Sequence, residues 1–168
     1  MRTITRTVIG GLVAALAVGA VALPAQAAPA PDSSSTMNKL VASTRAAVAR
    51  FQQVDAALAA GYIPVSECTE SPEGAMGIHY MNPALIHPGF VDPANPPFLT
   101  YGPSGDLWAA EFFEPEVGQP TPMYGSQAFD GPMAGHGPGM PTHYDLHVWV
   151  GKHNPAGMFA EWNPSLHC

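Results

Sequence analysis

The most informative segment of the sequence is His143-Tyr144-Asp145-Leu146-His147-Val148-Trp149-Val150. Alternate residues of a β-strand lie on the same face, so this stretch would have two different faces. One face would be apolar and made of Tyr144, Leu146, Val148 and Val150. The other would carry His143, Asp145, His147 and Trp149. The alternation therefore predicts a strand with an apolar face and with metal-ligating side chains on the opposite face.

Short apolar runs broken by glycine and proline surround this strand. They predict strands at residues 75–80, 97–101, 106–113, 143–151 and 157–162. The sequence Asn154-Pro155-Ala156-Gly157 predicts a hairpin between the last two strands, and Gly102-Pro103-Ser104-Gly105 predicts another after Tyr101. Residues 119–141, which are rich in proline, are expected to form a long ordered loop.

A helix is predicted before these strands, at residues 36–60. Apolar and small residues recur there at spacings of four and three, on one face of a helix: Leu40, Thr44, Ala47, Phe51, Val54 and Leu58. Gly61 stands where a glycine commonly ends a helix. The expected fold class is α+β, with one N-terminal amphipathic helix packed on an antiparallel sheet that has long Gly/Pro-rich loops.

The first residues have the pattern of an export signal. Arg2 and Arg6 precede an apolar run at residues 8–23, and Ala25-Gln26-Ala27 has the small-x-small form that signal peptidase cleaves. We expect residues 1–27 to be a Sec-type signal peptide, residues 28–35 a flexible leader, and residues 36–168 a single globular domain. The protein would then be secreted and would have no stable membrane anchor.

The charge balance excludes two classes of partner. The 168 residues include 6 Lys and Arg against 13 Asp and Glu, which gives a net charge of −7. A protein that binds nucleic acids or anionic membrane surfaces needs basic side chains to neutralise their phosphate groups, so neither is expected as a partner. No basic residue except histidine occurs between Arg50 and Lys152. An acidic region of this length favours association with cations.

The chain has two cysteines, Cys68 and Cys168. Disulfides persist in the oxidising compartments that exported proteins enter. We therefore expect Cys68 and Cys168 to be paired. The alternative is a reactive or metal-bound thiol.

The main candidate site is a metal centre near residues 143–147. Imidazole and carboxylate groups suit Zn(II), Cu(II) or Fe(II), and His79 and Glu111 are the partners best able to complete such a site with His143, Asp145 and His147. Residues four apart on a strand are about 13 Å apart, too far to share one ion. A bulge or a helical turn would have to bring His143 and His147 together, or each would act with a different partner. Asp145 would be a spare ligand or would orient a histidine.

Three alternatives stay open. His136, with Met133 and Met140, could form a separate copper site in the Gly/Pro-rich loop, because thioether and imidazole groups suit copper. Alternatively, a metal-free binding module could use an aromatic cleft for a glycan or another small extracellular ligand, with rings from Trp108, Trp149, Trp162, Tyr80 and Tyr144. The histidines could also be hydrogen-bonded residues of a purely structural, disulfide-linked secreted protein.

The sequence assigns no enzymatic reaction. There is no Gly-x-Ser-x-Gly motif, and the glycine-rich segment at residues 135–139 has no lysine to hold a phosphate. Glu111, Glu114 and Glu116 are a weak candidate for a pair of hydrolytic carboxylates.

Three segments carry a resemblance to other proteins: residues 74–80, residues 143–149 and residues 154–168, which include Asn154-Pro155-Ala156-Gly157-Met158-Phe159. In these segments the chain resembles a group of secreted bacterial hypothetical proteins that are frequent in actinobacteria and have no established activity. The resemblance covers roughly residues 55–168. It implies an exported single domain with Cys68 paired to Cys168, and it implies no catalytic residue.

Overall fold

The computed structural model describes residues 33–137 and 139–168. The predicted signal peptide, residues 1–27, and most of the predicted leader lie outside the described residues. The first helix begins at Ser33, so the last three residues of the predicted leader belong to that helix.

The described chain contains helices followed by short strands. The helical elements are α1 (Ser33–Val48), a 3-10 turn (Ala49–Phe51), α2 (Val54–Ala59) and a second 3-10 turn (Pro83–Leu85). The strands are β1 (Ile63–Pro64), β2 (Thr69–Ser71), β3 (Gly74–Met81), β4 (Phe98–Tyr101), β5 (Leu107–Pro115), β6 (Met123–Tyr124), β7 (Gln127–Ala128), β8 (Asp130–Met133) and β9 (His143–Val148). Within the described residues, no helix has the length and hydrophobicity that crossing a membrane requires.

One antiparallel sheet organises the strands in the order β1-β3-β4-β5-β9-β8, with β2 also paired to β3. The predicted mixture of helix and antiparallel sheet is therefore confirmed. The predicted hairpin at residues 102–105 is also confirmed, since Gly105 N–H donates to Gly102 O at 2.9 Å between β4 and β5.

The prediction of one continuous helix over residues 36–60 is wrong in its middle. Gln53 has an extended backbone, with φ −121° and ψ 141°, and it separates α1 and its 3-10 turn from α2. The break occurs because this backbone bonds to the sheet: Leu107 N–H donates to Gln52 O at 3.1 Å, and Val54 N–H donates to Gly105 O at 2.9 Å. A tertiary contact overrides the helical periodicity here. Gly61 follows α2 with φ +92°, as the sequence predicts.

The segment predicted as a loop at residues 119–141 contains three short strands. β6 and β7 form a separate hairpin. β8 pairs with β9 and adds an edge strand to the main sheet. The loop prediction is therefore wrong for residues 123–133. Pro132 in β8 is compatible with this pairing because β8 is an edge strand.

The predicted strand at residues 157–162 is absent from the structure. Side chains take several of the backbone acceptors that a strand would need: Trp149 Nε1–H donates to Ala160 O at 2.7 Å, and Asn154 Nδ2–H donates to Trp162 O at 3.0 Å. Asn163 forms a single bridge with Ala75. The residues after Asn154 therefore form turns held by asparagine and tryptophan, and the prediction of a second hairpin strand is wrong.

The helices pack on one face of the sheet. The buried core there includes Phe51, Leu99, Tyr101 and Leu107 near α2, and a second cluster lies nearer to α1: Phe112, Tyr124, Phe129, Tyr144, Leu146 and Val148. Met37, Leu40 and Val41 of α1 contact this second cluster. The apolar residues of β9 therefore face the helices, as the alternation predicts, and its histidines face the other side.

A disulfide joins Cys68 to Cys168, as the sequence predicts. The bond closes a loop whose ends are 100 residues apart. Nearby, Glu70 accepts hydrogen bonds from the Cys168 backbone N–H (3.2 Å) and contacts His167 Nδ1 (3.0 Å). The C-terminal residue is thus fixed beside β2.

Candidate metal centre

Three strands of the sheet bring His79, Glu111 and His147 together. Glu111 of β5 is directly opposite His147 of β9 in the antiparallel register. His79 of β3 is opposite Thr100 of β4, which is itself opposite Ala109, two residues before Glu111. Because residues two apart on a strand share a face, all three side chains lie on the face away from the helices.

The three side chains are close enough to hold one ion. One ligand atom from each residue can be chosen such that all three lie within 4.8 Å of one another. His79 Nε2 is 3.4 Å from Glu111 Oε2, and His147 Nε2 is 3.9 Å from the same oxygen. Metal–ligand bonds of about 2.0–2.2 Å place neighbouring ligands at separations of this order.

The facing atoms of Glu111 and His147 are buried without hydrogen-bond partners. Glu111 Oε2 and His147 Nε2 are two such atoms among the described residues, and the third is Asp145 Oδ1. Leaving a buried donor or acceptor unsatisfied costs about 1–3 kcal/mol each. Buried polar atoms are normally paired, so two unpaired atoms that face each other at 3.9 Å indicate a place for a cation.

Ser66 holds His79 in position. His79 backbone N–H donates to Ser66 Oγ at 2.9 Å, and His79 Nδ1 lies 3.1 Å from the same oxygen. When Nδ1 carries the proton and donates it to Ser66, the lone pair of Nε2 is free and faces Glu111. This is the usual arrangement of a metal-binding histidine, whose second nitrogen is fixed by an outer partner.

Aromatic rings fix the orientation of His147. Its ring stacks on Trp149, with 6.0 Å between centroids and an angle of 20°. The ring of His79 lies edge-on to the ring of His147, with 5.7 Å between the centroids. His147 is only 1 % exposed, so little freedom remains for its side chain.

His143 and Asp145 do not belong to this group of three. No bulge interrupts the pairing of β9 with β5, so His143 and His147 stay apart and act with different partners. His143 Nδ1 lies 3.0 Å from Pro141 O, and its Nε2 lies 3.8 Å from Asp145 Oδ2. The His143 ring also stacks on Phe113 at 4.8 Å. His143 and Asp145 therefore form a neighbouring pair on the same sheet face.

Burial keeps both imidazoles of the group neutral. Desolvation, with a smaller contribution from His147, lowers the pKa of His79 to about 3. Desolvation also lowers the pKa of His147. Neutral imidazole is the form that binds metals, so these residues are ready to act as ligands near neutral pH.

Glu111 is shifted in the opposite direction. Burial raises the pKa of Glu111 well above its usual value of 4.5, and the nearby charge of Asp145 raises it further. His143 differs from His79 and His147: burial lowers its pKa, but the Asp145 carboxylate and the Pro141 carbonyl outweigh burial and the net shift is upward. A cation beside Glu111 would favour its ionised form.

A cavity of about 70 Å³ reaches the group from one side. His79 and Glu111 line it, together with His143, Ser66, Met76 and Met140. A water molecule needs about 10–15 Å³ by the same measure, so the cavity can hold a small ligand beside the two residues. Three protein ligands leave at least one coordination position of a metal available to such a ligand.

The predicted copper residues are dispersed around this cavity. His136 and Met140 line it, and the His136 ring lies 5.2 Å from that of His143. Met133 is in β8, opposite His143 in the register. A separate copper site formed by these three residues stays a prediction.

The aromatic and carboxylate alternatives have less support. Trp108, Trp149 and Tyr144 are buried in the core, so these rings cannot stack on a ligand at the surface. Glu114 is also buried, but it lies on the helix side of β5 and accepts the Gly89 N–H at 2.7 Å. Glu111 and Glu114 therefore face opposite sides of the sheet and do not form a catalytic pair.

Three residues that line this site were not predicted from the sequence to belong to it: Ser66, Met76 and Met140. Ser66 lies in the connection after β1, where Val65 N–H donates to His79 O at 2.9 Å. No periodicity marks a connecting residue, so its contact with His79 depends on the pairing of β1 with β3. The Asn-Pro pattern, by contrast, does predict a local role for Asn154 and Asn163. The side-chain oxygen of each accepts a hydrogen bond from the backbone N–H two residues later.

Comparison of the chain with protein-family models, curated proteins and solved structures gives no match. The function is therefore argued from the chemistry of the site itself.

Proposed function

We propose that this protein is secreted and binds one divalent transition metal ion, Zn, Cu or Fe, through His79 Nε2, Glu111 and His147 Nε2. The observation that carries the proposal is the convergence of these three ligand atoms within 4.8 Å, two of them buried and without partners. Two histidines and one carboxylate are a donor set found in zinc hydrolases and in non-haem iron oxygenases. His143 and Asp145 contribute to the surroundings of the metal.

Secretion is supported by two features. Residues 1–27 have the pattern of a signal peptide. The disulfide between Cys68 and Cys168 suits an oxidising compartment. Outside the cell the site would meet metal ions directly.

The test is metal analysis of the exported, oxidised protein and of two matched variants. His147→Ala and His143→Ala each remove a histidine that is 1 % exposed from the same face of β9. We expect about one equivalent of metal in the wild type, retention in His143→Ala, and loss of about 100- to 1,000-fold in affinity in His147→Ala. The loss follows from zinc sites in which four ligands together give roughly 10–16 kcal/mol, or about 2.5–4 kcal/mol per ligand.

Near-ultraviolet circular dichroism would establish that both variants are folded. Retention of metal by folded His147→Ala would contradict the proposed ligand set. Absence of metal from the wild type, before and after incubation with each of the three metals, would contradict the function itself.

The pH dependence of metal affinity should report the proton on Glu111. Because the pKa of Glu111 is raised, a metal must displace that proton at pH values below the shifted pKa, and affinity should fall by about tenfold per pH unit there. The pKa of His79 is about 3, so its imidazole does not compete for protons above about pH 5. Competition with a chelator from pH 5 to pH 8 would measure the slope.

Calorimetry in two buffers of different ionisation enthalpy would count the protons released per metal. About one proton is expected at pH values below the Glu111 pKa. A count of two or three would show that the histidines also lose protons, contrary to their lowered pKa values.

A further inference from the structure

A second cavity adjoins the smaller one at the metal centre. It has a volume of about 200 Å³ and shares with the smaller cavity the residues Val65, Phe98, Phe113, Gly137 and Met140. Its remaining described lining residues are Met81, Ile86, Gly139 and Pro141. We call this second cavity the apolar chamber. The two cavities are therefore adjacent, with His79 and Glu111 lining the smaller one and Met81 and Ile86 lining the apolar chamber.

The apolar chamber suits a compact hydrocarbon group. None of the described residues that line it has an ionisable side chain. The apolar chamber is partly open to solvent, and its volume of about 200 Å³ exceeds the roughly 150 Å³ of an enclosed apolar cavity that binds benzene, so it has room for one aromatic ring or a branched alkyl group. Removing such a group from water is favourable in proportion to the apolar area buried.

The polar end favours an anionic group. A divalent metal with one ionised carboxylate, from Glu111, and two neutral imidazoles carries a net charge of +1. A buried charge of this kind is costly unless it is paired. Asp145 lines neither cavity, so its carboxylate is not placed to occupy the coordination position of the metal that faces the smaller cavity. A monoanionic ligand would neutralise the centre.

We propose that the metal centre and the apolar chamber together bind one small monocarboxylate, whose carboxylate coordinates the metal and whose ring or branched alkyl group occupies the apolar chamber. This inference rests on the proposed metal binding. It adds the chemical class of the ligand, which the metal site alone does not define.

The test uses the full exported chain loaded with Co(II), whose visible absorption reports its coordination. Benzoate should change the spectrum saturably and bind at least about tenfold more tightly than acetate, which has the same donor group without the ring. Benzyl alcohol, which has the ring without the anionic donor, should leave the spectrum unchanged. Equal affinity for benzoate and acetate would overturn the inference and would leave the metal site in place.

A pair of variants separates the apolar chamber from the metal. Ile86 lines the apolar chamber and does not line the smaller cavity, so Ile86→Trp should fill the apolar chamber while the Co(II) spectrum persists. The tenfold preference for benzoate should then disappear. Val117→Trp, at a position that is 73 % exposed, is the control and should behave as the wild type.

The outcomes distinguish the two proposals. An unchanged benzoate preference in Ile86→Trp would overturn the assignment of the apolar chamber, with metal binding unaffected. A wild-type protein that gives no Co(II) spectrum and takes up none of Zn, Cu and Fe would overturn both the metal proposal and the ligand proposal.

Discussion

Replacing Glu111 by glutamine is expected to weaken metal binding by about 1,000-fold and to stabilise the metal-free protein at alkaline pH. The first effect follows because Glu111 is the only anionic member of the group of three. Its loss removes a ligand oxygen and also the charge attraction to the cation. Glutamine has nearly the same shape, so the packing around the site is preserved.

The second effect follows from the direction of the Glu111 pKa shift. A carboxyl group whose pKa is higher in the folded protein than in the unfolded chain stabilises the fold at pH values below the unfolded pKa. This contribution is lost as the pH rises from about 4.5 through the shifted pKa. Above that range the metal-free wild type must bury an ionised, unpaired carboxylate, and Glu111→Gln need not.

His79 has the opposite pH dependence and does not obscure the comparison. Because its pKa is lowered from 6.5 to about 3, it stabilises the fold above pH 6.5, and this contribution is lost as the pH falls from 6.5 towards 3. The contribution is present in both proteins. It therefore largely cancels when Glu111→Gln is compared with the wild type at each pH.

Glu114→Gln is the matched control. Glu114 is on the same strand and is also buried, but it accepts a hydrogen bond from Gly89 N–H at 2.7 Å on the helix side. This variant should keep the metal and lose about 1 kcal/mol of stability, since hydrogen bonds to charged groups are stronger than neutral ones. Urea unfolding with chelator present, at pH 5 and pH 8, measures both variants. A destabilised Glu111→Gln at pH 8 would mean that Glu111 has a structural role in place of a ligand role.

The second large effect concerns the disulfide. Replacing both Cys68 and Cys168 by serine should lower the free energy of unfolding by roughly 4–5 kcal/mol, because the bond closes a loop of about 100 residues and so restricts the unfolded chain. Small domains have total stabilities of about 5–15 kcal/mol, so this loss is a large part of the whole. Urea denaturation of the oxidised wild type and of the double variant gives the difference.

The control for the disulfide is Glu70→Gln. Glu70 holds the same end of the chain through His167 and the Cys168 N–H, but it is largely exposed there. Exposed pairs of this kind contribute little to stability because solvent screens them, so Glu70→Gln should be nearly neutral. A double cysteine variant that loses less than about 1 kcal/mol would contradict the loop-closure argument.

The sequence predicts which face of β9 carries the ligands, but it does not predict the register of the sheet. Alternation alone places His143, Asp145 and His147 on one face. Whether His143 or His147 lies opposite Glu111 depends on how β5 and β9 align, and a long connection with its own strands separates them. Register is set by the turns and the packing of the whole sheet, so it could not be read from either strand alone.

The failed predictions have a common cause. The helix over residues 36–60 breaks at Gln53 because distant backbone groups of Gly105 and Leu107 bond there. The strand at residues 157–162 is absent because the side chains of Trp149 and Asn154 take its carbonyl groups. In both places a hydrogen bond to a distant backbone group or from a side chain takes the place of the hydrogen bonds that the local pattern predicts.

The position of the three proposed ligands on β3, β5 and β9 would link metal binding to folding. An unfolded chain does not hold His79, Glu111 and His147 together, so the metal proposed here would bind almost only to the native state. By mass action, free metal at 100 times its dissociation constant would add about 2.7 kcal/mol to the stability, and metal at 1,000 times that constant about 4.1 kcal/mol. The metal content of the surroundings would thereby control how long the protein stays folded and resists proteolysis.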